Sequence, residues 1–247
     1  MRKSLSNWRS SSRHPSRKEG AILNHTHLKS LIAACALLGA AQTSQAAVMD
    51  ITVDQDVSIL KNSANSNFWQ NSHQYLWVGN GGTSSEYQSV FGFDVTALTG
   101  ALGSGQSLVI NSMSFNAYHN YSSRDGFDNI SLGTNDSWNS NTATWNSMAG
   151  QHGGTLDSQY ASSSNLNQYM SWDISSVDVN ELLDGYLTFF VAAQGNSWND
   201  YENGDWTGTH KSYVSIDYDI VDVPAPATLA LLGLGLAGLG FSRKKAK

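Results

Sequence analysis

The sequence feature that most constrains the fold is a strict alternation of apolar and polar side chains near the end of the chain. In residues 214–220 the apolar positions are Val214, Ile216, Tyr218 and Ile220, and the polar ones are Ser215, Asp217 and Asp219. Residues 170–174 repeat this spacing. A period of two gives a strand one apolar face and one polar face, so these segments predict half-buried β-strands.

Seven further segments have the apolar and β-branched character of short strands. They are residues 51–53, 57–60, 75–78, 88–95, 108–118, 130–133 and 187–193. Clusters of Asn, Ser and Gly separate them and favour turns. One short helix is predicted at residues 179–183, with Asp178 as N-cap, Glu181 three residues on and Gly185 beyond the end. Many short strands with so little helix predict an all-β fold, a single jelly-roll-type β-sandwich.

The C-terminal segment, residues 223–247, has three blocks. Val223, Pro224, Ala225 and Pro226 come first, the uncharged apolar run 227–241 follows, and Arg243, Lys244 and Lys245 lie near the end. A run of about fifteen residues is a short membrane span, since roughly twenty are needed to cross a bilayer as a helix. Basic residues beyond it are expected on the cytoplasmic side, which leaves the preceding chain on the other side.

This tripartite segment resembles a PEP-CTERM sorting signal, in which Pro-Ala-Pro stands where the family has Pro-Glu-Pro. The resemblance implies export in a biofilm-forming Gram-negative bacterium. It also implies recognition by an exosortase-type membrane enzyme while the C-terminal hydrophobic helix holds the protein in the inner membrane. The expected final location is the cell surface or the extracellular space. The alternative interpretation is an ordinary C-terminal membrane anchor.

The N-terminal residues 1–46 have the pattern of a secretory signal peptide. Lys29 precedes an apolar stretch, residues 31–41, and Ser44-Gln45-Ala46 forms a small-x-small cleavage site for signal peptidase. Residues 1–28 are longer than a usual basic region, so an over-extended start is one reading. The sequence therefore predicts three parts: a signal peptide at 1–46, a β-sandwich at 47–222 and a sorting signal at 223–247.

Without its two ends the chain is strongly acidic and has no cysteine. Residues 47–222 contain three basic residues, Lys61, Arg124 and Lys211, against nineteen acidic ones, a formal charge of −16. Such a field disfavours nucleic acid and anionic lipid as partners. The only cysteine, Cys35, lies in the predicted signal peptide, so the stability of the domain must come from its core.

Residues 50–221 resemble a DNRLRE, or disaggregatase-related, domain. The resemblance rests on residues 89–98 (SVFGFDVTAL), on the W-x5-T-W motif from Trp138 to Trp145, on residues 171–175 (SWDIS) and on the closing strand at 213–221. It implies a secreted module similar to carbohydrate-binding modules. The Trp pair is interpreted as a core or hairpin contact, with a sugar platform as the alternative.

Residues 194–210 are predicted to form a loop that carries the candidate site. Trp198, Tyr201 and Trp206 are candidate carbohydrate-binding residues there, and Trp69 is a fourth in another loop. Aromatic faces beside carboxylates can bind the apolar and hydroxyl surfaces of sugars. Asp200, Glu202 and Asp205 could instead bind Ca²⁺ as a cofactor, since Ca²⁺ takes six to eight oxygen ligands. The plain alternative is a solvated polar loop.

No catalytic constellation is singled out by the sequence. Many pairs among the nineteen acids are conceivable, the remaining histidines have no ligand spacing, and no nucleophile motif is present. We therefore expect a non-catalytic exported protein of the extracellular matrix or cell surface that binds extracellular polysaccharide. The alternatives are a structural or adhesive component that binds proteins, and a polysaccharide-degrading enzyme.

Overall fold

A computed structural model describes residues 45–67, 74–81, 85–204 and 209–223. Most of the predicted signal peptide and nearly all of the predicted sorting signal lie outside these ranges. Gln45 and Ala46, the last two residues before the predicted cleavage site, form the start of the first strand. At the other end, the Val223 N–H donates a hydrogen bond to the Gly105 carbonyl at 2.7 Å.

The described chain contains eleven strands, three short α-helices and one 3₁₀ turn. The strands are β1 (Gln45–Thr52), β2 (Gln55–Leu60), β3 (Tyr75–Asn80), β4 (Glu86–Asp94), β5 (Gln106–Arg124), β6 (Gly126–Gly133), β7 (His152–Ala161), β8 (Gln168–Asp173), β9 (Tyr186–Ala193), β10 (Trp198–Glu202) and β11 (Tyr213–Asp222). The helices are α1 (Thr96–Gly100), α2 (Trp145–Met148) and α3 (Val179–Leu183), and the 3₁₀ turn is Lys61–Ser63.

All pairings are antiparallel, and the strands follow the order β1-β11-β5-β10-β3-β4-β9-β6-β7, with β2 paired to β4 and β8 to β5. The long strand β5 organises this arrangement. Its first part pairs with β11, its middle with β8 and its last part with β10. Strand β8 pairs with residues of β5 that also pair with β10 or with β11. Strands β10 and β11 therefore both lie on the edge of β5 opposite to β8.

The sheet curls so that its aromatic side chains meet from two layers. Phe115 of β5 lies 5.0 Å from Phe91 of β4 and 5.9 Å from Phe189 of β9, centroid to centroid. Its ring also lies 5.4 Å from that of Trp172 in β8. Neither β4 nor β9 is a hydrogen-bonded neighbour of β5 or β8, so these contacts join opposite layers. All four rings are fully buried, each contributing roughly 1.5–3 kcal/mol by burial.

A second apolar cluster covers the outer side of β2, β4 and β9. Val57, Ile59, Val90 and Phe190 pack there against Trp138, Trp145, Ala143, Met148 and Ala149. Trp138 Nε1 donates to Thr188 Oγ1 at 3.0 Å, which fixes the covering segment on β9. Neighbouring residues such as Phe189 and Phe190 thus face different clusters, and both are buried. The two tryptophans are packing residues on this surface.

Each predicted strand overlaps an observed one, and the all-β prediction is confirmed. The predicted helix is α3 itself, where the Asp178 side chain accepts from the Asn180 N–H at 2.8 Å and Gly185 has φ 96°. Strands β7 and β10 were not predicted, because their sequences lack an apolar alternation. Within the described ranges no helix is long and apolar enough to cross a membrane, and residues 227–241 lie outside those ranges.

Candidate functional site

The segment predicted as a loop at residues 194–210 contains a central strand. Residues 198–202, Trp-Asn-Asp-Tyr-Glu, form β10, which pairs with β3 on one side and with β5 on the other. The loop prediction is wrong for these residues. All five side chains carry a polar group, so the sequence shows no apolar face that would have indicated a strand. The tertiary structure supplies polar partners on one side of the strand and aromatic ones on the other.

The inward side of β10 is held by a buried carboxylate from β6. Asp128 Oδ2 accepts hydrogen bonds from Tyr201 Oη at 2.6 Å and Asn199 Nδ2 at 2.9 Å, and its Oδ1 accepts from Ser197 Oγ at 3.3 Å. The Asp128 and Tyr201 side chains are fully buried. These contacts allow a polar strand to lie against the core, since buried polar groups need partners.

Burial raises the pKa of the Asp128 carboxyl to about 7, and the hydrogen bonds from Tyr201, Asn199 and Ser197 oppose that rise. Burial also raises the pKa of the Tyr201 phenol, and the nearby Asp128 carboxylate raises it further. This group of side chains has no opening to solvent, so its role is to position β10. Tyr201, a predicted carbohydrate-binding residue, is therefore removed from the accessible surface and becomes a core residue.

The outward side of β10 carries the candidate site, which we call the β10 face. Because side chains in register share a side of a sheet, Trp198, Asp200 and Glu202 point the same way as Gly79, Trp77 and Tyr75 of β3. Tyr87 of β4 is in register with Gly79 and joins the same side. The sequence offered a signal for β3: Tyr75 and Trp77 alternate there with the buried residues Leu76 and Val78.

Trp198 is fixed in this face by its neighbours. A Cβ added to Gly79 would lie 2.8 Å from Cδ2 and Cε3 of the indole, so the ring lies directly against the glycine backbone. Tyr87 makes an edge contact with Trp198 at 5.1 Å and with Trp77 at 5.4 Å. The guanidinium carbon of Arg124 lies 5.7 Å from the Trp198 ring centroid. The result is a connected band of three half-buried aromatic rings.

Asp200 lies opposite Trp77 in the register of β10 and β3, two residues from Trp198, and is only 9% exposed. Desolvation raises the pKa of its carboxyl to about 7, while a hydrogen bond from the Trp198 side chain opposes the rise. Its buried Oδ1 has no hydrogen-bond partner among the residues that the structure describes. A buried acceptor of this kind gains stability when a donor reaches it.

Glu202 lines a polar cleft beside the band, which we call the Glu202 cleft. Its walls are Gln74, Tyr75, Tyr118, Asn120, Asn167, Glu202, Thr209 and His210, around a volume of about 380 Å³. Glu202 is 5% exposed, and its Oε2 lies 3.0 Å from His210 Nδ1. The imidazole is stacked on the Tyr118 ring at 3.8 Å, with an angle of 6° between the planes.

The structure thus brings Trp198, Asp200 and Glu202 together on one surface. Trp69, Trp206 and Asp205 lie outside the described residues. Among the residues that are described, no three His, Cys, Asp or Glu side chains are grouped to hold a metal ion. The Ca²⁺ prediction for Asp200, Glu202 and Asp205 therefore stays a prediction.

Comparison with known families gives one match, to the model of the PEP-CTERM protein-sorting motif, over residues 222–244. The chain carries this sorting motif. The match begins at Asp222, the last residue of β11, so the motif follows directly on the sheet. It marks the protein as exported and sorted by an exosortase to the surface or the membrane. The resemblance to a DNRLRE domain has no support from these comparisons.

The search of curated proteins found no match. Among solved structures, a chain of the mud crab tombus-like virus, determined by cryo-EM at 3.3 Å, aligns with 94% of this chain and 99% of its own length. Its sequence identity is 10% and the TM-score is 0.32. A TM-score this low carries no argument about function.

Proposed function

We propose that this exported protein binds extracellular polysaccharide through the β10 face and does not act on it chemically. The observation that carries the proposal is the band Trp77, Tyr87 and Trp198, which lies beside the Asp200 and Glu202 carboxylates. A jelly-roll sandwich of the DNRLRE type, kept at the cell surface or in the matrix of a biofilm, is the setting that we propose for it.

The chemistry of the face suits sugars. A pyranose ring has an apolar C–H surface that packs on aromatic rings, and hydroxyl groups that donate to carboxylates. The buried Oδ1 of Asp200 is an acceptor that such a hydroxyl can satisfy. Because β10 is held between β3 and β5 and by Asp128, the face is preorganised, which lowers the entropic cost of binding.

The test is binding of the full-length chain, solubilised in detergent, to a panel of extracellular polysaccharides in affinity gels. Trp198→Ala removes the centre of the band and is expected to weaken retardation by about tenfold or more, since a stacked aromatic contact contributes about 1–3 kcal/mol to binding. Tyr160→Ala is the matched control, because Tyr160 is 51% exposed on β7 and outside the face. No retardation by any polysaccharide, with or without Ca²⁺, would refute the proposal.

A second candidate is a polysaccharide-degrading enzyme, favoured by two carboxyls on the same side of β10, one of which has a raised pKa. Asp200 has a pKa raised to about 7 by burial and lies two residues from Glu202 on the same side of the strand. Acid-base hydrolysis of glycosides uses two carboxyls in different environments. Release of reducing ends by the wild type, abolished in Asp200→Asn, would establish this activity.

A third candidate is an adhesive component that binds proteins. It predicts self-association or retention at the cell surface that Trp198→Ala and Trp206→Ala leave unchanged. Sedimentation of the purified chain, compared with its binding in affinity gels, distinguishes this candidate from the first one.

A further inference from the structure

We propose that the Glu202 cleft selects a saccharide residue that carries a free, positively charged amino group. This inference rests on the proposed polysaccharide binding and names the class of sugar that the site prefers. A cleft of about 380 Å³ lies at the lower end of the range for small-molecule pockets, which is roughly 300–1,000 Å³. It therefore suits one or two sugar residues of a longer chain.

The described part of the cleft wall has an anionic group, Glu202. Among the described residues that line the cleft none is Lys or Arg, and the His210 imidazole is the one basic group. The Glu202 Oε2 already has one partner, His210 Nδ1. A carboxylate has about four acceptor positions, so others remain. An ammonium group can therefore bind Glu202 without displacing the histidine.

The aromatic walls also favour a cation. Tyr75 and Tyr118 line the cleft together with Glu202. Tyr169 makes an edge contact with the Tyr118 ring at 5.3 Å and lies 6.3 Å from the His210 ring. Aromatic π-faces attract ammonium groups at distances up to about 6 Å. The remaining polar wall is formed by the side chains of Gln74, Asn120 and Asn167, whose amides can bind neutral hydroxyls.

Backbone irregularities place two of these amides. Asn120 falls where the register of β5 against β10 shifts between Asp200 and Tyr201. Asn167 has φ 59°, a left-handed conformation that asparagine tolerates better than most residues, and its N–H donates to the His119 carbonyl at 2.8 Å. The positions of these two amides in the cleft therefore depend on the backbone conformation, and not on side-chain rotamers alone.

The charge of the domain acts in the same direction. With a formal charge of −16 over residues 47–222, the protein repels polyuronates and attracts polycations at long range. If only this long-range attraction acted, removing any one carboxylate would have the same effect on binding. Two substitutions that change the net charge equally, one at Glu202 and one outside the cleft, therefore test whether Glu202 acts locally.

The test is titration calorimetry of the full-length chain in detergent, with four tetrasaccharides that differ in charge. The probes are the β-1,4-linked tetramers of glucosamine and N-acetylglucosamine, cellotetraose, and the tetramer of galacturonate. The glucosamine tetramer is expected to bind about tenfold or more tightly than the two neutral ones, as a charge-assisted hydrogen bond adds about that factor. The galacturonate tetramer is expected to bind weakest.

Glu202→Gln is expected to remove the tenfold preference for the glucosamine tetramer over the neutral tetramers, because the amide has no charge to pair with the ammonium group. Glu181→Gln on α3 is the matched control, with the same change in charge outside the cleft. It is expected to keep the preference. Circular dichroism spectra that coincide for the three proteins exclude misfolding as the cause.

Other results would overturn the inference. Equal binding of glucosamine and neutral tetramers contradicts the selectivity but leaves polysaccharide binding intact, whereas binding of no tetramer or polymer contradicts both. If Glu202→Gln and Glu181→Gln reduced the preference for the glucosamine tetramer equally, only the long-range field would act. Preference for galacturonate would reverse the proposed charge of the ligand.

Discussion

Replacing Asp128 by asparagine isolates the pH dependence that a buried carboxyl gives to this fold. The pKa of Asp128 is raised from 3.8 to about 7 by burial, so the folded state binds the proton more tightly than the unfolded state. The stability from this group is therefore complete below about pH 4 and is lost as the pH rises through 7. The wild-type protein is expected to become less stable from pH 5 to pH 8.

The magnitude follows from the pKa difference. One pKa unit equals about 1.4 kcal/mol, so the whole range from pH 4 to above 7 corresponds to roughly 4 kcal/mol, and the interval from pH 5 to pH 8 to about 2–3 kcal/mol. For a domain of this size that is a decrease in Tm of about 5–10 °C. Asp200, whose pKa is also raised to about 7, adds a decrease of the same sign.

Asparagine is a close substitute because it keeps the hydrogen bonds. Its carbonyl oxygen can accept from Tyr201 and Asn199, as Asp128 Oδ2 does, and its amide can donate to the Ser197 hydroxyl in place of Oδ1. Asp128→Asn should therefore fold, with roughly half of the pH-dependent loss removed. Urea unfolding between pH 5 and pH 8 measures the difference directly.

The exposed Asp50 provides the control, since Asp50→Asn changes the net charge equally on the edge strand β1. It is expected to leave the slope of stability against pH close to that of the wild type. If Asp128→Asn and wild type lose stability in parallel from pH 5 to pH 8, the assignment of this slope to the buried carboxyl is refuted.

Three further predictions concern the face, the core and the tail. Gly79→Ala places a Cβ 2.8 Å from the Trp198 ring, so it should displace the indole and shift its fluorescence. It should also weaken polysaccharide binding as much as Trp198→Ala does. An unchanged emission spectrum would contradict the packing of the indole on Gly79. Phe115→Ala should cost about 3–5 kcal/mol and lower the Tm in calorimetry by roughly 6–20 °C, because this ring joins the two layers. Deleting residues 223–247 should release the protein to the periplasm or medium. Ala225→Glu should leave cleavage of the tail unchanged or improve it. Mass spectrometry of the exported protein reports both results, and an uncleaved wild-type tail favours a plain membrane anchor.

The sequence predicted much of the fold because local patterns carried it. Strand β11 and helix α3 appear where alternation and capping placed them, and the Asp178 cap forms its hydrogen bond. Strand β10 could not be predicted from residues 198–202. Its inward side is polar and becomes buried only because Asp128, some seventy residues earlier in the chain, supplies the acceptors.

The candidate site was predicted in part, for the same reason. Trp198, Asp200 and Glu202 were identified from their composition, yet their placement on one side of a strand, with Tyr201 on the other, follows from pairing with β3 and β5. Trp77 and Tyr87 were missed as partners of Trp198 because residues more than a hundred positions apart meet only in the folded sheet.

By itself, the sequence determined the β class, the acidic charge of the domain and the sorting motif at its end, since alternation, composition and a contiguous signal are all local properties. Only the tertiary structure decided which polar side chains are structural and which face outward. Burial and hydrogen bonding depend on distant partners: Asp128 turns Tyr201 into a core residue, while Gly79 and Tyr87 fix Trp198 on the surface.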